Sequence, residues 1–178
     1  MKTLTLLRHA KSGWDDPVSR DFDRPLNPRG RKAARTVALE MKAQGLAFDR
    51  VLASPARRVV ETLEEVAGTF GALSPEYDRR LYLASASILL EIVRGTGDEV
   101  GRLLLVGHNP GLEQIALHLS GQDGCGMRGD IEVKYPTATV VEIELPVEHW
   151  AQVKEGAGNL TRFIRPRDLD PELGPDSE

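Results

Sequence analysis

Three apolar runs of strand length, each stopping abruptly at a chemically active residue, constrain this chain more than anything else in it. Leu4-Thr5-Leu6-Leu7 gives way to Arg8-His9, Val51-Leu52-Ala53 to Ser54-Pro55, and Leu103-Leu104-Leu105-Val106 to Gly107-His108-Asn109-Pro110. Short apolar runs without polar alternation read as strands covered on both faces, and such strands belong to a parallel sheet with helices on either side. In an open sheet of this kind the chemistry collects at the carboxyl ends of the strands. If the three strands are neighbours, Arg8, His9, His108 and the first turn of the helix after Ser54, which holds Arg57 and Arg58, meet in one crevice.

Ser54-Pro55 and Asn109-Pro110 each read as an N-cap followed by a proline fit for the first helical position, so two helix N-termini should point into the crevice. Arginine forks, helix N-termini and cationic imidazoles all favour a tetrahedral dianion, which makes phosphate chemistry the expectation. No neighbouring residue pattern supplies a metal site, and neither metal nor cofactor is expected.

The remaining elements follow by periodicity. Asn27-Pro28 starts a helix to about Gln44, with Ala33, Ala34, Val37, Ala38 and Met41 as its buried stripe and Gly45 as its stop. The helix after Ser54 runs to about Phe70, Ser74–Leu83 holds a short extended piece, and Ser87–Arg94 is a helix with Ile88, Leu89, Ile92 and Val93 facing inward. A helix from Pro110 to about Leu119 leads to a Gly-rich loop, Gly121–Gly129, carrying the lone Cys125. Thr137–Leu145 and Asn159–Arg165 read as strands, the latter at an edge. The resulting fold class is α/β, a three-layer α/β/α sandwich on a mostly parallel sheet of five or six strands, to which analogy with folds of this class adds one antiparallel edge strand.

A chain of 178 residues, 40% hydrophobic, makes one domain, placed at 1–167, with 168–178 as an acidic tail expected to be disordered. That tail holds five of the 27 acidic residues and none of the 23 basic ones, so the body is close to neutral and gives no basic excess for nucleic acid. Leu4–Leu7 is too short for a signal peptide or a membrane span, and one cysteine forms no internal disulfide. A cytoplasmic monomer, with no membrane or nucleic-acid partner, is the expectation.

Arg8-His9-Ala10 resembles the Arg-His-Gly signature of the histidine phosphatase superfamily (phosphoglycerate-mutase-like), with Ala in place of Gly. Ser54-Pro55-Ala56-Arg57-Arg58-Val59-Val60-Glu61-Thr62 is similar to its Ser-x-x-x-Arg-x-x-Gln-Thr segment, and Gly107-His108-Asn109-Pro110-Gly111-Leu112-Glu113 supplies a third motif. The likeness is to the small phosphohistidine-phosphatase-like branch and runs from Met1 to about Leu169. It includes Asp23-Arg24-Pro25-Leu26, Leu81-Tyr82 and Lys134-Tyr135-Pro136-Thr137.

The resemblance implies a metal-independent phosphatase in which His9 attacks phosphorus while Arg8, Arg58 and His108 hold the phosphoryl oxygens. Ser12 and Asn109 are implied as substrate-binding residues. The motif spacing selects Arg58 and leaves Arg57 at the rim, and Glu61-Thr62 is expected to brace the helix. Asp15 stands where the mutase relatives carry Asn, and Trp14 is either a substrate platform or a packed lid. No carboxylate follows Leu81-Tyr82 where larger relatives place a proton donor, which leaves Glu76 and Asp78 as the candidates. The expected substrate is therefore phosphohistidine in a protein; small phosphomonoesters, phosphate recognition without turnover, and phosphate transfer within a sugar are the alternatives.

Overall fold

The computed structural model describes residues 1–13, 20–121 and 125–174. Six strands form one sheet: β1 (Lys2–Arg8), β2 (Arg50–Ala53), β3 (Pro75–Tyr77), β4 (Arg102–Gly107), β5 (Val140–Leu145) and β6 (Asn159–Ile164), in the spatial order β3-β2-β4-β1-β5-β6. The pairs β3/β2, β2/β4 and β4/β1 are parallel, whereas β5 pairs antiparallel with both β1 and β6. The sheet is thus mostly parallel, but the strand running against the others is β5, one place inside the edge.

Alternation along each strand divides the core between the two faces of the sheet. Leu4, Leu6, Leu52, Leu103, Leu105 and Ile143 pack with α3 (Ala86–Arg94), α4 (Gly111–Leu119) and the fully buried Trp150. Leu7, Val51, Ala53, Leu104, Val106 and Val140 pack with α1 (Pro28–Ala43) and α2 (Arg57–Phe70). The register sets Leu4 beside Leu103 and Leu6 beside Leu105, so the buried rows are continuous across strands. The helices after β1 and β2 lie on one face and the helix after β4 on the other. The crevice between the carboxyl ends of β1 and β4 is therefore a topological switch point, where open sheets of this class bind ligands.

Helix α1 behaves as its sequence requires: Asn27 Oδ1 accepts from the Gly30 N–H at 2.7 Å, and Ala33, Ala34, Val37, Ala38 and Met41 are buried. Several expectations need correction. Helix α2 starts at Arg57 and α4 at Gly111, later than the prolines suggested, so Ser54 is no N-cap; its Oγ accepts from the Ala56 N–H ahead of the helix at 3.3 Å and also meets a partner outside α2. Ile88 is 38% exposed rather than inward. The end of the loop expected over Gly121–Gly129 is instead the start of the helix α5 (Met127–Val133), built around buried Ile131. The strand expected from Thr137 begins at Val140.

The C-terminal stretch also departs from expectation. Pro166–Leu169 forms α6 and Pro171–Leu173 a 3-10 turn, with Leu173 buried in the α1 face and Asp170 and Glu172 both paired to Lys32. One buried leucine and two ion pairs are enough to hold 168–174 against the body despite their acidic composition.

Two glycines fix the loops that frame the crevice. A Cβ at Gly30 would stand 2.1 Å from the Lys11 carbonyl oxygen, and one at Gly111 would stand 2.1 Å from the Ala84 carbonyl oxygen. Only a residue without a side chain lets α1 lie against the loop after His9, and α4 against the loop after Tyr82.

Candidate active site

His9 follows directly on β1 and its backbone is held from two sides, its N–H donating to the Gly107 carbonyl at 3.1 Å and its carbonyl accepting from Ala138 at 3.0 Å. The side chain is buried, with Nδ1 2.7 Å from the Ala10 carbonyl oxygen. A carbonyl can only accept, so Nδ1 carries the proton and the lone pair of the neutral ring lies on Nε2. Burial lowers the His9 pKa well below 6.5; the Ala10 bond works against this, and the charges of Arg8, His108 and Arg58 add to it.

His108, just past β4, has its ring centroid 5.3 Å from that of His9. Its Nδ1 lies 3.3 Å from Nη2 of Arg58 and its Nε2 lies 2.8 Å from Oγ of Ser54. A guanidinium only donates, so Nδ1 accepts and the Nε2 proton points at Ser54. Burial, followed by the charge of Arg58, pulls the His108 pKa down to about 3, with Asp21 opposing. The sequence led us to expect cationic imidazoles, but both rings are neutral in this site and the positive charge belongs to the arginines.

Arg58, in the first turn of α2, is 2% exposed. Nη1 donates to the Asp21 carbonyl oxygen at 2.7 Å and Nη2 to Asp21 Oδ2 at 3.1 Å, while its buried Nε has no partner among the described residues. Thr62, one turn on, joins the two halves of the site: its buried Oγ1 donates to the Arg58 carbonyl at 2.6 Å and accepts from the Ala10 N–H at 2.9 Å. Arg8 Nη1 and Asn109 Nδ2 both donate to the Tyr135 carbonyl at 3.0 Å, and Tyr135, itself buried, donates through Oη to the Leu6 carbonyl at 2.8 Å.

Asp21 forms another part of the pocket wall. Its Oδ1 accepts from Nε and Nη2 of Arg24 at 3.2 and 3.1 Å, and its Oδ2 accepts from Arg58 and from the Tyr82 hydroxyl at 2.5 Å. Burial alone would raise this carboxyl, but bonds from Tyr82, Arg58 and Arg24 and the charge of Arg58 outweigh it and bring the pKa down to about 2. Together Arg8, His9, Asp21, Arg24, Arg58, Leu83, His108 and Asn109 line an open pocket of about 370 Å³. Leu83, at its mouth, is 55% exposed and has φ of +50°, a left-handed conformation that costs a branched residue of order 1 kcal/mol.

A model of the histidine phosphatase superfamily (branch 1) matches residues 4–82. An uncharacterised protein of Mycobacterium tuberculosis (strain H37Rv) is 35% identical over 164 residues, covering 90% of this chain and all of that one. The chain belongs to the histidine phosphatase superfamily. Within it the similarity is to the small SixA-like branch. SixA from Agrobacterium tumefaciens is 27% identical, covers 93% of this chain and 98% of its own, and superposes with a TM-score of 0.79. The protein histidine phosphatase SixA in complex with tungstate shares the fold at TM-score 0.75, 24% identity and coverage of 94% and 99%.

Of the family positions expected to act, Arg8, His9, Arg58, His108 and Asn109 line the pocket. Ser12 stands behind it, with Oγ accepting from Arg24 Nη1 at 2.6 Å, so it positions Arg24. Arg57 is exposed and paired with Glu61 at 2.9 Å. Glu61 holds the Leu26 N–H at 2.8 Å and Arg31 at 3.1 Å, tying α2 to α1 and the loop before it. Glu76 pairs with Arg50, and Asp78 caps the turn Arg79–Leu81 and pairs with Arg80; neither lines the pocket, so neither is placed to give a proton. Trp14 and Asp15 lie outside the described residues.

The residues that sequence reasoning missed are Asp21, Arg24, Ser54 and Tyr82. Arg24 and Tyr82 sat inside segments already similar to the family, and Ser54 was read as a cap. Asp21 had no signal beyond an Asp-rich loop. Among the described residues no group of three or more His, Cys, Asp or Glu side chains is placed to hold a metal ion. No helix among them is long and apolar enough to cross a membrane.

Proposed function

We propose that this chain is a phosphatase working through a phosphohistidine at His9, with phosphohistidine in proteins as its favoured substrate. The observation that carries the reading is the tether of His9 Nδ1 to the Ala10 carbonyl, which leaves Nε2 as an unprotonated nucleophile at the floor of a pocket ringed by arginines. Attack from Nε2 forms the N–P bond while the leaving group departs on the opposite side, toward the mouth; water then cleaves N–P in a second displacement. Arg8, Arg58 and Arg24 meet the charge on the equatorial oxygens, each donor of this kind contributing about 3–4 kcal/mol in comparable sites. His108 serves as a neutral donor once a phosphoryl oxygen replaces one of its present partners, and Asn109 and Ser12 set the donors around it.

The phosphohistidine preference is supported by leaving-group chemistry. An imidazole already protonated on its far nitrogen departs as a neutral molecule, so it asks little of a resting site whose one lining carboxyl among the described residues is ionised. SixA from A. tumefaciens, a provisional phosphohistidine phosphatase, supports it too. The test is rapid quench into alkaline detergent after mixing with a protein labelled on phosphohistidine. The expected result is transient acid-labile, alkali-stable label on the enzyme and its loss in His9→Ala; turnover by folded His9→Ala would sink the reading.

A further inference from the structure

Resting on that reading, one group in the pocket stands without a role: the carboxylate of Asp21. Arg58 is the guanidinium a phosphoryl group needs, and in this structure two of its nitrogens are spent on Asp21, through the backbone carbonyl and Oδ2. Asp21 therefore sits where an anion belongs, at the side of the pocket open to solvent, its side chain 39% exposed while His9 is buried on the floor. In-line displacement from Nε2 sends the leaving atom away from His9, and Asp21 lines the same pocket on its solvent-exposed side. Among the described residues lining the pocket, it is the sole carboxyl.

We propose that Asp21 is the proton donor to the leaving atom and the acceptor of the water proton in the second displacement. A phosphoryl dianion arriving on Arg58 and Arg24 draws away the two cations that keep Asp21 ionised and sets negative charge beside it, and both changes favour its protonated form. The groups facing Asp21 are Arg58 from α2, Arg24 beyond its own turn, Tyr82 beyond the turn Arg79–Leu81, and His108 after β4, with Arg20 and Arg79 lining the adjoining cavity beside it. Of these, Tyr82 keeps its hydroxyl on the carboxyl and holds it in place while Arg58 and Arg24 change partner.

The steps balance. The proton comes in with the phosphate monoanion or from solvent. The Nε2 lone pair forms N–P, the bond from phosphorus to the ester oxygen breaks with its pair on oxygen, and the Asp21 proton makes the alcohol. Asp21, now a carboxylate, then takes one proton from the attacking water as O–P forms, N–P breaks and its pair returns to Nε2. Inorganic phosphate is released and Asp21 is again protonated. The consequence is a substrate range that extends beyond phosphohistidine to esters whose alcohols need a proton to leave.

The experiment is kcat/KM across phosphate esters with leaving-group pKa from about 4 to about 15, for wild type, Asp21→Asn, Asp21→Ser and Asp21→Glu. The expected result is a shallow dependence in wild type and Asp21→Glu and a steep one in both neutral variants. Their loss should reach roughly 10²- to 10³-fold for the poorest leaving groups and shrink as the leaving group improves. Parallel lines, with one uniform loss or gain at every leaving group, would overturn the proton-transfer role and leave Asp21 a mere occupant of the anion site. Absence of turnover with every ester and of any phosphoenzyme would instead remove the phosphatase reading on which the proposal stands.

Discussion

Replacing Thr62 by valine tests whether one hydroxyl couples the nucleophile's strand to the arginine's helix. Thr62 is fully buried, and its Oγ1 is the acceptor for the equally buried Ala10 N–H. Valine keeps the shape and branching and deletes only the hydroxyl. The Arg58 carbonyl loses an extra donor but keeps its place in the helix, whereas the Ala10 N–H is left with nothing to donate to among the described residues. An orphaned buried amide costs about 1–3 kcal/mol. For a domain of this size each kcal/mol lowers Tm by about 2–4 °C, so the fall should lie between about 2 and 12 °C. The matched control is Thr139→Val: Thr139 is just as buried, but its Oγ1 has no partner among the described residues, so the same chemical change should be neutral or stabilising. Urea unfolding of both variants, with m unchanged, gives the comparison. Equal destabilisation by the two would show that volume or β-branching, not the hydrogen bond, decides, and would refute the bracing role of Thr62.

What could be read from the sequence follows the range of the interactions involved. The strands β1, β2 and β4 were legible because an unbroken apolar run at that length has one stable home, a sheet covered on both faces, and the order β2-β4-β1 then places His9, Arg58 and His108 together. Helix α1 was legible because Asn27, Pro28 and the alanine stripe all state the same thing locally. The start of α2 was not, since Ser54 Oγ reaches only the N–H of the cap residue Ala56 and is shared with His108, a residue 54 positions away.

The charge state of the histidines was equally hidden. Arg8-His9 suggests an imidazole among cations, but its protonation depends on how dry the pocket is, which only packing decides. Asp21 was the least legible of all: in sequence it is one of several acids in a polar loop, and three side chains from separate elements give it meaning. Disorder in 168–174 was expected from composition, which cannot register that one leucine finds a hydrophobic seat and two acids find the same lysine.

The remaining predictions test geometry, charge and acid response. Arg58→Ala should lower kcat/KM by roughly 10²- to 10³-fold and Arg57→Ala by only a few-fold, because only Arg58 lines the pocket; steady-state kinetics with the reverse order would contradict this register. Gly68→Ala, with open space around it in α2, should stabilise by about 0.5–1 kcal/mol in urea unfolding, whereas Gly111→Ala should destabilise, since its Cβ would meet the Ala84 carbonyl at 2.1 Å; stabilisation by both would mean that the loop yields freely. Acid should act through the buried imidazoles. Neutral His9 is the nucleophile and burial lowers its pKa, so the acid limb of kcat/KM should lie well below pH 6.5. The same burial sets a stability slope. With the folded His108 pKa about 3 and the unfolded value 6.5, the unfolded chain binds a proton between these limits that the folded chain refuses, so stability is complete above 6.5 and is lost as pH falls toward 3. Asp21, lowered from 3.8 to about 2, adds loss of the same sign further down. Urea midpoints taken stepwise from about pH 7 to about pH 4 should therefore fall more steeply in wild type than in His108→Gln, which has no proton to refuse. Parallel slopes would mean that His108 titrates alike in both states and is not held neutral by its burial and by Arg58.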